Sequence, residues 1–370
     1  MDLCDSKPVR VLHVVTYMGR GGLETMIMNY YRHIDRSKVQ FDFLVHRDFK
    51  ADYDDEIEAL GGRIYHLQRL VPWKKSYLNE LESFFKNHPE YKIVHVHQDC
   101  LSSVILKIAK KCGVKVRIAH SHSSSQDKNL KYLIKLYYKR FIPKYATQLF
   151  ACGKEAGDWM FGGAKYQIIN NAIDTKLYKY NSEKRNSIRN DLKIPEDTFV
   201  VGHVGRFNAV KNHTFLLDII AELKKQHKNS MLLLIGDGEL RAKIEDKAKE
   251  LNVTDDVIFT GVRSDVPDLM QAMDCFVFPS LYEGLPVTLI EAQSSGLPCI
   301  VSSEVPSECD KTDLVEHISL SDSLDIWAKH ILNKKGNERK NYSEAIAKSG
   351  YDINVNAKGL ESFYIDNWKG

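Results

Sequence analysis

Two glutamates, Glu283 and Glu291, flank the predicted start of a short helix in the segment PSLYEGLPVTLIEAQSSG, residues 279–296. Pro286 suits the first helical turn and Gly296 suits the helix C-cap, and apolar runs before and after indicate strands. A helix N-terminus at the carboxyl end of a strand binds anions. Two carboxylates beside such a site suit the hydroxyl groups of a sugar nucleotide. From the spacing alone, an ordinary α/β unit with one surface and one helix-face glutamate stays the alternative.

Three further apolar segments end in small or charged residues, as strands beside a ligand do. They are VVGHVGRFNAVKN (200–212), MLLLIGDGE (231–239) and VIFTGV (257–262). In an open parallel sheet, the carboxyl ends of the strands line the ligand crevice. Arg206 and Lys211 are fixed cations suited to a diphosphate, the arginine through its planar fork. Taken singly, each also fits a solvated loop charge.

In combination and in this order, these motifs resemble the donor-binding half of glycosyltransferase family 4, the retaining enzymes of the GT-B fold. The motifs are GRxxxxK, IGDG, FTGxR and PSxxEGxPxxxxEAxxxGxPxI. The N-terminal half is similar to the members that build capsular or extracellular polysaccharide, through MGRGGLETMIMNYYR, RIAHSHSSS, ACGKEAGDWMFG and IINNAIDT. Ala172 departs from the family, which often has glycine there.

The resemblance implies retaining transfer of a hexosyl or N-acetylhexosaminyl unit from a nucleotide sugar. The expected donor is a uridine diphosphate sugar. Arg206 and Lys211 would stabilise the developing charge of the diphosphate. Glu283 would hold sugar hydroxyls and Glu291 the ribose, with the leaving phosphate taking the acceptor proton, so no protein nucleophile is nominated. The remaining donor-contact predictions are Gly21, Gly22, Gly205, Gly236, Asp237, Val262, Arg263, Gly284, Leu285 and Pro286.

Length and pattern predict the domain organisation. A chain of 370 residues predicts two domains, and strand–helix alternation repeated twice predicts parallel sheets covered on both faces. The resemblance to the GT-B fold implies an α/β architecture of two Rossmann-like, doubly wound domains facing an interdomain cleft. The predicted divisions are an acceptor-binding domain at 1–172, a donor-binding domain at 173–355 and a final helix at 356–370. The resemblance implies that this helix crosses back to the first domain.

Strands are expected near 9–16, 41–46, 63–67, 93–98, 116–122 and 148–152 in the first domain. In the second domain they are expected near 199–204, 231–235, 257–262, 275–279, 298–302 and 315–320. Between the domains, the polar stretch 170–197 predicts a hinge with a basic helix-like segment.

Composition narrows the class of protein. The net charge of +3 carries no nucleic-acid signature, and no window approaches the ~18 apolar residues of a membrane span. Asp2 and Asp5 stand where a signal peptide would have basic residues. Seven scattered cysteines without a CxxC pair indicate neither zinc nor disulfides. We therefore expect a cytoplasmic protein, peripheral on the inner face of the plasma membrane if it contacts lipid.

The segment MGRGGLE, residues 18–24, follows the first predicted strand. Glu24 occupies the third glycine position of a dinucleotide fingerprint, so that match fails. The resemblance instead implies a glycine-rich loop, Gly19–Gly22, near the donor phosphate and the acceptor, with Gly19 on the acceptor side. A tight turn before a helix is the alternative.

Two histidines, His120 and His122, lie at a strand end in RIAHSHSSS, where strand alternation points both to one face. The resemblance places His120 against the transferred sugar, and His122 is an acceptor-side candidate. Zinc would need a third ligand, and the sequence shows none nearby. For His95 and His97, in KIVHVHQD, a core or supporting position is expected.

The segment 128–144 predicts a basic amphipathic helix. Lys128, Lys131, Lys135 and Lys139 share one face, opposite Leu130, Ile134, Tyr137, Tyr138 and Phe141. Such a helix can lie on an anionic membrane surface, which suits the lipid-linked acceptor that the resemblance implies. A sheet-covering helix with a solvated basic face is the alternative. Trp73, beside two lysines in RLVPWKKSY, is a further acceptor-side candidate.

The triplet Asp52-Tyr53-Asp54 spells the DxD motif of metal-dependent glycosyltransferases. Acidic residues in a first helical turn favour the helix dipole, which suffices to explain it. We therefore expect no metal and no other cofactor. Two competing functions stay open: a sugar-nucleotide epimerase of the same architecture, and a non-catalytic partner subunit of another glycosyltransferase.

Overall fold

The computed structural model describes residues 7–123 and 132–369. It divides into two units, one of residues 1–173 with 353–370 and the other of residues 174–352. The predicted divisions lie at 172/173 and 355/356. Leu130, Lys128 and Lys131 of the predicted basic helix fall outside the described residues.

The first unit is built on a parallel sheet that has seven strands within the described residues, in the order β3-β2-β1-β4-β5-β6-β7. They are β1 (Val9–Val14), β2 (Val39–Val45), β3 (Ile64–His66), β4 (Ile93–Val96), β5 (Val116–Ser121), β6 (Gln148–Ala151) and β7 (Gln167–Ile168). The first six are the predicted strands. Strand β7 was missed because two exposed residues carry no apolar pattern.

Helices cover both faces of this sheet. They are α1 (Gly22–His33), α2 (Asp54–Ala59), α3 (Lys75–Asn87), α4 (Ser102–Lys111), α5 (Tyr132–Lys139), α6 (Ile142–Tyr145) and α7 (Lys154–Phe161). Side chains alternate across the strands, so Val11 packs into the core under α1 while Leu12 packs into the opposite core under α3 and α4.

The second unit has a parallel sheet in the order β10-β9-β8-β11-β12-β13. Its strands, all predicted, are β8 (Phe199–Val204), β9 (Ser230–Ile235), β10 (Val257–Phe259), β11 (Cys275–Phe278), β12 (Cys299–Ser302) and β13 (Val315–Ile318). Its helices are α8 (Ser182–Asp191), α9 (His213–Gln226), α10 (Arg241–Glu250), α11 (Val266–Leu269), α12 (Val287–Ser294), α13 (Leu324–Leu332) and α14 (Ser343–Ile346).

The basic segment expected in the hinge is α8. Asn181 caps it by accepting from the backbone N–H of Lys184 at 2.9 Å. Arg185 and Arg189 both pair with Asp274, at 2.6 and 2.7 Å. These ion pairs fix α8 to the second unit.

The last helix, α15 (Ile353–Lys369), packs against α1, β1 and β2 of the first unit. Its Tyr364 is fully buried there, and Ile353 donates its N–H to the carbonyl of Ile173 at 3.0 Å. No helix in the described residues is long and apolar enough to cross a membrane.

The strand orders locate the candidate sites. Each sheet winds outward from a central pair, β1 and β4 in the first and β8 and β11 in the second. The chain leaves the two strands of such a pair in opposite directions, which opens a crevice at their carboxyl ends. Of the predicted site residues, Gly205, Arg206 and Lys211 follow β8, Glu283 follows β11, and Gly19–Gly22 follow β1.

Candidate active site

Three glycine-containing loops of the second unit meet backbone to backbone. Gly205 donates its N–H to Ile235 at 3.0 Å, and Gly236 donates to Gly261 at 2.9 Å. Gly236 has φ +133°, and a Cβ there would lie 2.1 Å from the carbonyl oxygen of Gly205. Only glycine fits this position. The structure thus brings the GRxxxxK, IGDG and FTGxR motifs together.

The arginines of these loops are exposed. The Arg206 side chain is 66% exposed and lies 3.4 Å from the carboxylate of Glu239. Arg263 forms a two-bond pair with Asp265, and Val262 beside it is also exposed. Asp237 accepts from the N–H of Gly238 at 2.7 Å and so closes its own turn. Both guanidinium groups are therefore accessible to an anionic ligand.

Lys211 and Glu283 form an ion pair, with Nζ and Oε1 2.6 Å apart. Both side chains are mostly buried, at 18% and 11% exposure, and the ammonium group lies 4.5 Å from the centre of the Phe278 ring. Two hydrogen bonds join the surrounding loops, from Leu281 N–H to Val210 O and from Asn212 Nδ2 to Pro279 O. The candidate phosphate-binding cation and the candidate sugar-binding carboxylate are therefore neighbours.

Helix α12 begins one residue later than predicted. Pro286 is its N-cap rather than a first-turn residue, because its ψ of 106° is extended. Gly284 and Leu285 lie in the loop before it, and Gly296 ends it with φ +68°. There a Cβ would meet the carbonyl of Lys340 at 2.2 Å, so glycine is required.

Glu291 lies on α12 and is buried, with 7% of its surface exposed. Burial raises the pKa of Glu291 to about 7, and a hydrogen bond from Tyr178 opposes that rise. Sequence reasoning missed Tyr178, because a partner 113 positions away leaves no local signal. Glu291 is thus a buried carboxyl group on the helix that follows β11.

The glycine-rich loop of the first unit runs between β1 and α1. Gly21 is the N-cap of α1 and Gly22 its first residue. A Cβ on Gly19 would meet the Tyr17 ring at 2.5 Å. Burial and the nearby charge of Asp99 raise the pKa of Glu24 to about 7, which makes Glu24 a titratable group that the sequence analysis did not single out.

The DxD triplet opens a helix, as predicted. Helix α2 begins at Asp54, whose carboxylate accepts from the N–H of Ala51 at 2.8 Å. Asp52 accepts from the N–H of Arg20 at 3.1 Å. Both carboxylates therefore bond the local backbone.

Five histidines of the first unit form one buried cluster on three neighbouring strands. His13, His95 and His120 lie on β1, β4 and β5, and His97 and His122 follow β4 and β5. The rings of His120 and His122 are 4.1 Å apart, which confirms that they share a face. The expectation that no third ligand lies near them is wrong, because β4 pairs with β5 and brings His97 beside both.

Burial lowers the pKa values of all five rings. The values fall to about 3 for His13 and His122, and well below the ordinary range for the other three. The cluster is therefore neutral near pH 7. His13, missed in the sequence, joins through its Nδ1, 3.1 Å from His97 Nε2.

The described part of the basic helix, α5, presents its apolar side chains to solvent. Leu133 is 75% exposed and Tyr137 50%, and they form a groove with Ile134, Tyr138 and Trp73. The expected face of solvated lysines is only partly realised. Lys139 packs its ammonium group 4.1 Å from the centre of the Trp159 ring.

Comparisons with known proteins agree with this geometry. The family model "Glycosyltransferase Family 4" matches residues 20–177, and "Glycosyl transferases group 1" matches residues 184–311. "Putative glycosyltransferase EpsF" of Bacillus subtilis (strain 168) is 38% identical, over 97% of both chains. "Capsular polysaccharide biosynthesis glycosyltransferase CapH" of Staphylococcus aureus is 26% identical, over 96% of this chain and 99% of the relative.

Solved structures show the same fold. Anabaena Alr3699/HepE, in complex with UDP and glucose, has a TM-score of 0.72 at 16% identity and covers 97% of this chain and 96% of its own. The two parallel α/β units, the motifs at their strand ends and the full-length similarity to EpsF agree. The chain belongs to glycosyltransferase family 4 and has the GT-B fold.

Proposed function

We propose that this glycosyltransferase is a retaining enzyme that moves a hexosyl or N-acetylhexosaminyl unit from a uridine diphosphate sugar to a glycan or lipid-linked glycan. The observation that carries the proposal is the Lys211–Glu283 ion pair, which joins the loop after β8 to the loop after β11. The name of CapH supports a role in capsular or extracellular polysaccharide synthesis, and the UDP and glucose bound to HepE support a uridine diphosphate sugar as donor.

The donor diphosphate lies between two cations in this proposal. Arg206 is exposed and free to turn toward a phosphate, whereas Lys211 is held by Glu283. Gly205 and Gly236 let backbone approach the ligand closely, because neither has a side chain. The N-terminus of α12 adds unpaired N–H groups after Gly284, Leu285 and Pro286. Asp237, Val262 and Arg263 complete the contacts proposed in this unit.

The carboxylates bind the two sugars of the donor. Glu283 accepts hydrogen bonds from the transferred sugar and so links its position to that of Lys211. Glu291 accepts from the ribose, and its charged form makes the stronger hydrogen bond. From the first unit, His120 contacts the transferred sugar and Gly21 and Gly22 the donor, as the family resemblance implies.

The reaction needs no protein nucleophile. The bond from the anomeric carbon to the diphosphate oxygen breaks, and the acceptor oxygen forms its bond on the same face. The acceptor proton passes to the leaving diphosphate. Arg206 and Lys211 stabilise the charge that develops on that oxygen, and a fixed charge in a partly buried site makes the largest contribution of this kind.

We assign no metal ion to the diphosphate. Two cations and a helix N-terminus already compensate its charge, and Asp52 and Asp54 bond the backbone. On the acceptor side, Gly19 and His122 are candidates, and Trp73 lies in the exposed groove with α5. That groove and the lysines of α5 suit the surface of an anionic membrane.

The proposal is tested with a panel of nucleotide sugars, measuring release of nucleotide diphosphate with and without a lipid-linked acceptor. We expect one uridine diphosphate sugar to be consumed in an acceptor-dependent way, with the product linkage retaining the donor configuration. Interconversion of the donor sugar without acceptor would instead identify an epimerase. No turnover together with stable binding to another glycosyltransferase would identify a non-catalytic partner.

A further inference from the structure

The histidine cluster of the first unit contains more ligand nitrogens than its hydrogen bonds use. His97, His120 and His122 each offer one ring nitrogen, and these three atoms lie within 4.8 Å of one another. Among the described residues, His120 Nε2 and His122 Nδ1 are buried without a hydrogen-bond partner. Leaving a buried polar atom unpaired costs about 1–3 kcal/mol, so a ligand for these nitrogens is indicated.

We propose that His97, His120 and His122 bind one zinc ion, with solvent in the fourth position. Three imidazoles and an open position form a common zinc coordination sphere, and neutral imidazole suits zinc better than it suits magnesium or manganese. Zinc–nitrogen bonds of about 2.0–2.1 Å require the three nitrogens to approach one another on binding.

The surrounding hydrogen bonds fit a metal ligand at His120. Its Nδ1 lies 3.1 Å from His95 Nε2, and His95 Nδ1 lies 2.7 Å from the hydroxyl of Tyr364. With Nε2 on the metal, Nδ1 carries the proton and donates it along this chain. Zinc-bound histidines are oriented by such partners. His97 Nε2 lies 3.1 Å from His13 Nδ1, and His97 Nδ1 lies 2.8 Å from His122 Nε2, a contact that zinc would replace.

A second triad, His13, His95 and His97, also has nitrogens within 4.8 Å. It is the weaker choice, because among the described residues it contains one buried nitrogen without a partner, His13 Nε2, whereas the preferred triad contains two. His122 is also only partly buried, whereas all three rings of the second triad are buried. We therefore assign the site to the three histidines at β4 and β5.

Zinc at this site does not lie on the diphosphate, and transfer does not require it. Zinc on Nε2 of His120 and the sugar contact proposed for His120 exclude each other, so sugar transfer is assayed on the metal-free chain. Failure to bind zinc would leave the proposed transferase reaction unaffected, and a failed transferase assay would leave the zinc site unaffected.

The test uses the full chain, stripped of metal with a chelator, desalted and titrated with Zn²⁺ against a competing indicator. We expect saturation at one ion per chain and a zinc-dependent rise in Tm, because the ion binds only the folded protein. Cobalt in place of zinc should give the visible absorption of a four-coordinate ion.

Variants locate the site. His97→Ala, His120→Ala and His122→Ala should each weaken zinc binding at least about 100-fold, and His95→Ala about 10- to 100-fold through the orientation of His120. His66→Ala, which changes an exposed histidine of the same unit, should leave zinc binding unchanged.

Circular dichroism without metal shows which variants are folded. His122→Ala is the decisive one, because its side chain is the least buried of the three. No saturable binding by the wild type, or equal binding by folded His122→Ala, would overturn the proposal. Loss of binding in His13→Ala but not in His122→Ala would overturn the choice of triad.

Discussion

Lys211 and Glu283 lie 72 positions apart in sequence, yet their charged atoms are 2.6 Å apart at the carboxyl ends of β8 and β11. In the proposed donor complex, the phosphate competes with Glu283 for the ammonium group, and the sugar hydroxyls bind the carboxylate. The pair therefore holds both side chains in place before the ligand arrives.

Glu283→Gln keeps the size of the side chain and removes its charge. We expect turnover to fall by about 10²-fold or more, because a charge-assisted hydrogen bond to the sugar is lost in the transition state. Nucleotide diphosphate binding, measured by calorimetry, should be largely intact. Glu304→Gln, at an exposed glutamate of the same unit, is the matched control. If the turnover of Glu283→Gln were close to that of the wild type, Glu283 would not be an active-site residue.

Arg206→Ala and Lys211→Ala should each weaken binding of the nucleotide diphosphate by about tenfold or more, that is by ~1.4 kcal/mol. Turnover should fall as well, because the same charges stabilise the leaving group. Titration calorimetry measures the affinity, with Lys243→Ala at an exposed lysine of α10 as the control. Equal affinity in wild type and both variants contradicts the assignment of a phosphate-binding pair.

The pKa of Glu291 gives a prediction with a definite sign. Its pKa is raised from 4.5 to about 7, so the folded state binds more protons than the unfolded state between these values. The stabilising contribution is complete below pH 4.5 and is lost as the pH rises through 7.

Glu291→Gln is neutral at every pH and should gain in relative stability between pH 5 and pH 8, by at most about 3 kcal/mol. Urea unfolding of wild type and variant at both pH values measures this difference. The same comparison with Glu304→Gln should show no such trend. A difference between wild type and Glu291→Gln that is constant with pH would show that Glu291 is ionised in the folded state throughout.

Sugar transfer should survive removal of divalent ions. Excess EDTA should leave the rate unchanged, because Arg206 and Lys211 supply the positive charge at the diphosphate and the zinc proposed at the histidines is not required. Asp52→Asn, which removes a carboxylate of the DxD triplet, should also be neutral for turnover. If EDTA abolished activity and manganese restored it, Asp52 and Asp54 would be metal ligands in the reaction.

The protein should co-sediment with anionic vesicles and not with neutral ones. Each lysine near an anionic surface contributes about 1 kcal/mol, screened within about 8–10 Å at physiological salt. Replacing Lys128, Lys131, Lys135 and Lys139 with glutamine should abolish the binding, although Lys139, packed on Trp159, should matter least.

Salt at about 0.5 M should mimic these substitutions, and donor binding should not change. Leu133→Ser should weaken vesicle binding separately, because this exposed side chain would enter the membrane surface. Lysine replacements at the exposed positions 243 and 249 are the control. If the wild-type protein does not bind anionic vesicles, α5 is a helix with a solvated basic face and no membrane contact.

Local patterns in the sequence were enough to predict the fold. Runs of apolar residues ending in glycine or charge predicted twelve of the strands, and the sheets place those strand ends at the crevices expected of parallel sheets. The motif glycines were also readable, because a backbone position that excludes a Cβ, such as Gly236, tolerates no other residue. The roles of the site residues remain predictions.

Pairings between distant segments were decided only by tertiary structure. Tyr178 reaches Glu291, Lys211 meets Glu283, and His97 joins His120 and His122 because β4 lies beside β5. Sequence periodicity gives the face on which a side chain lies, but strand order and register decide what faces it. The third histidine that the sequence around His120 did not show is therefore supplied by the neighbouring strand.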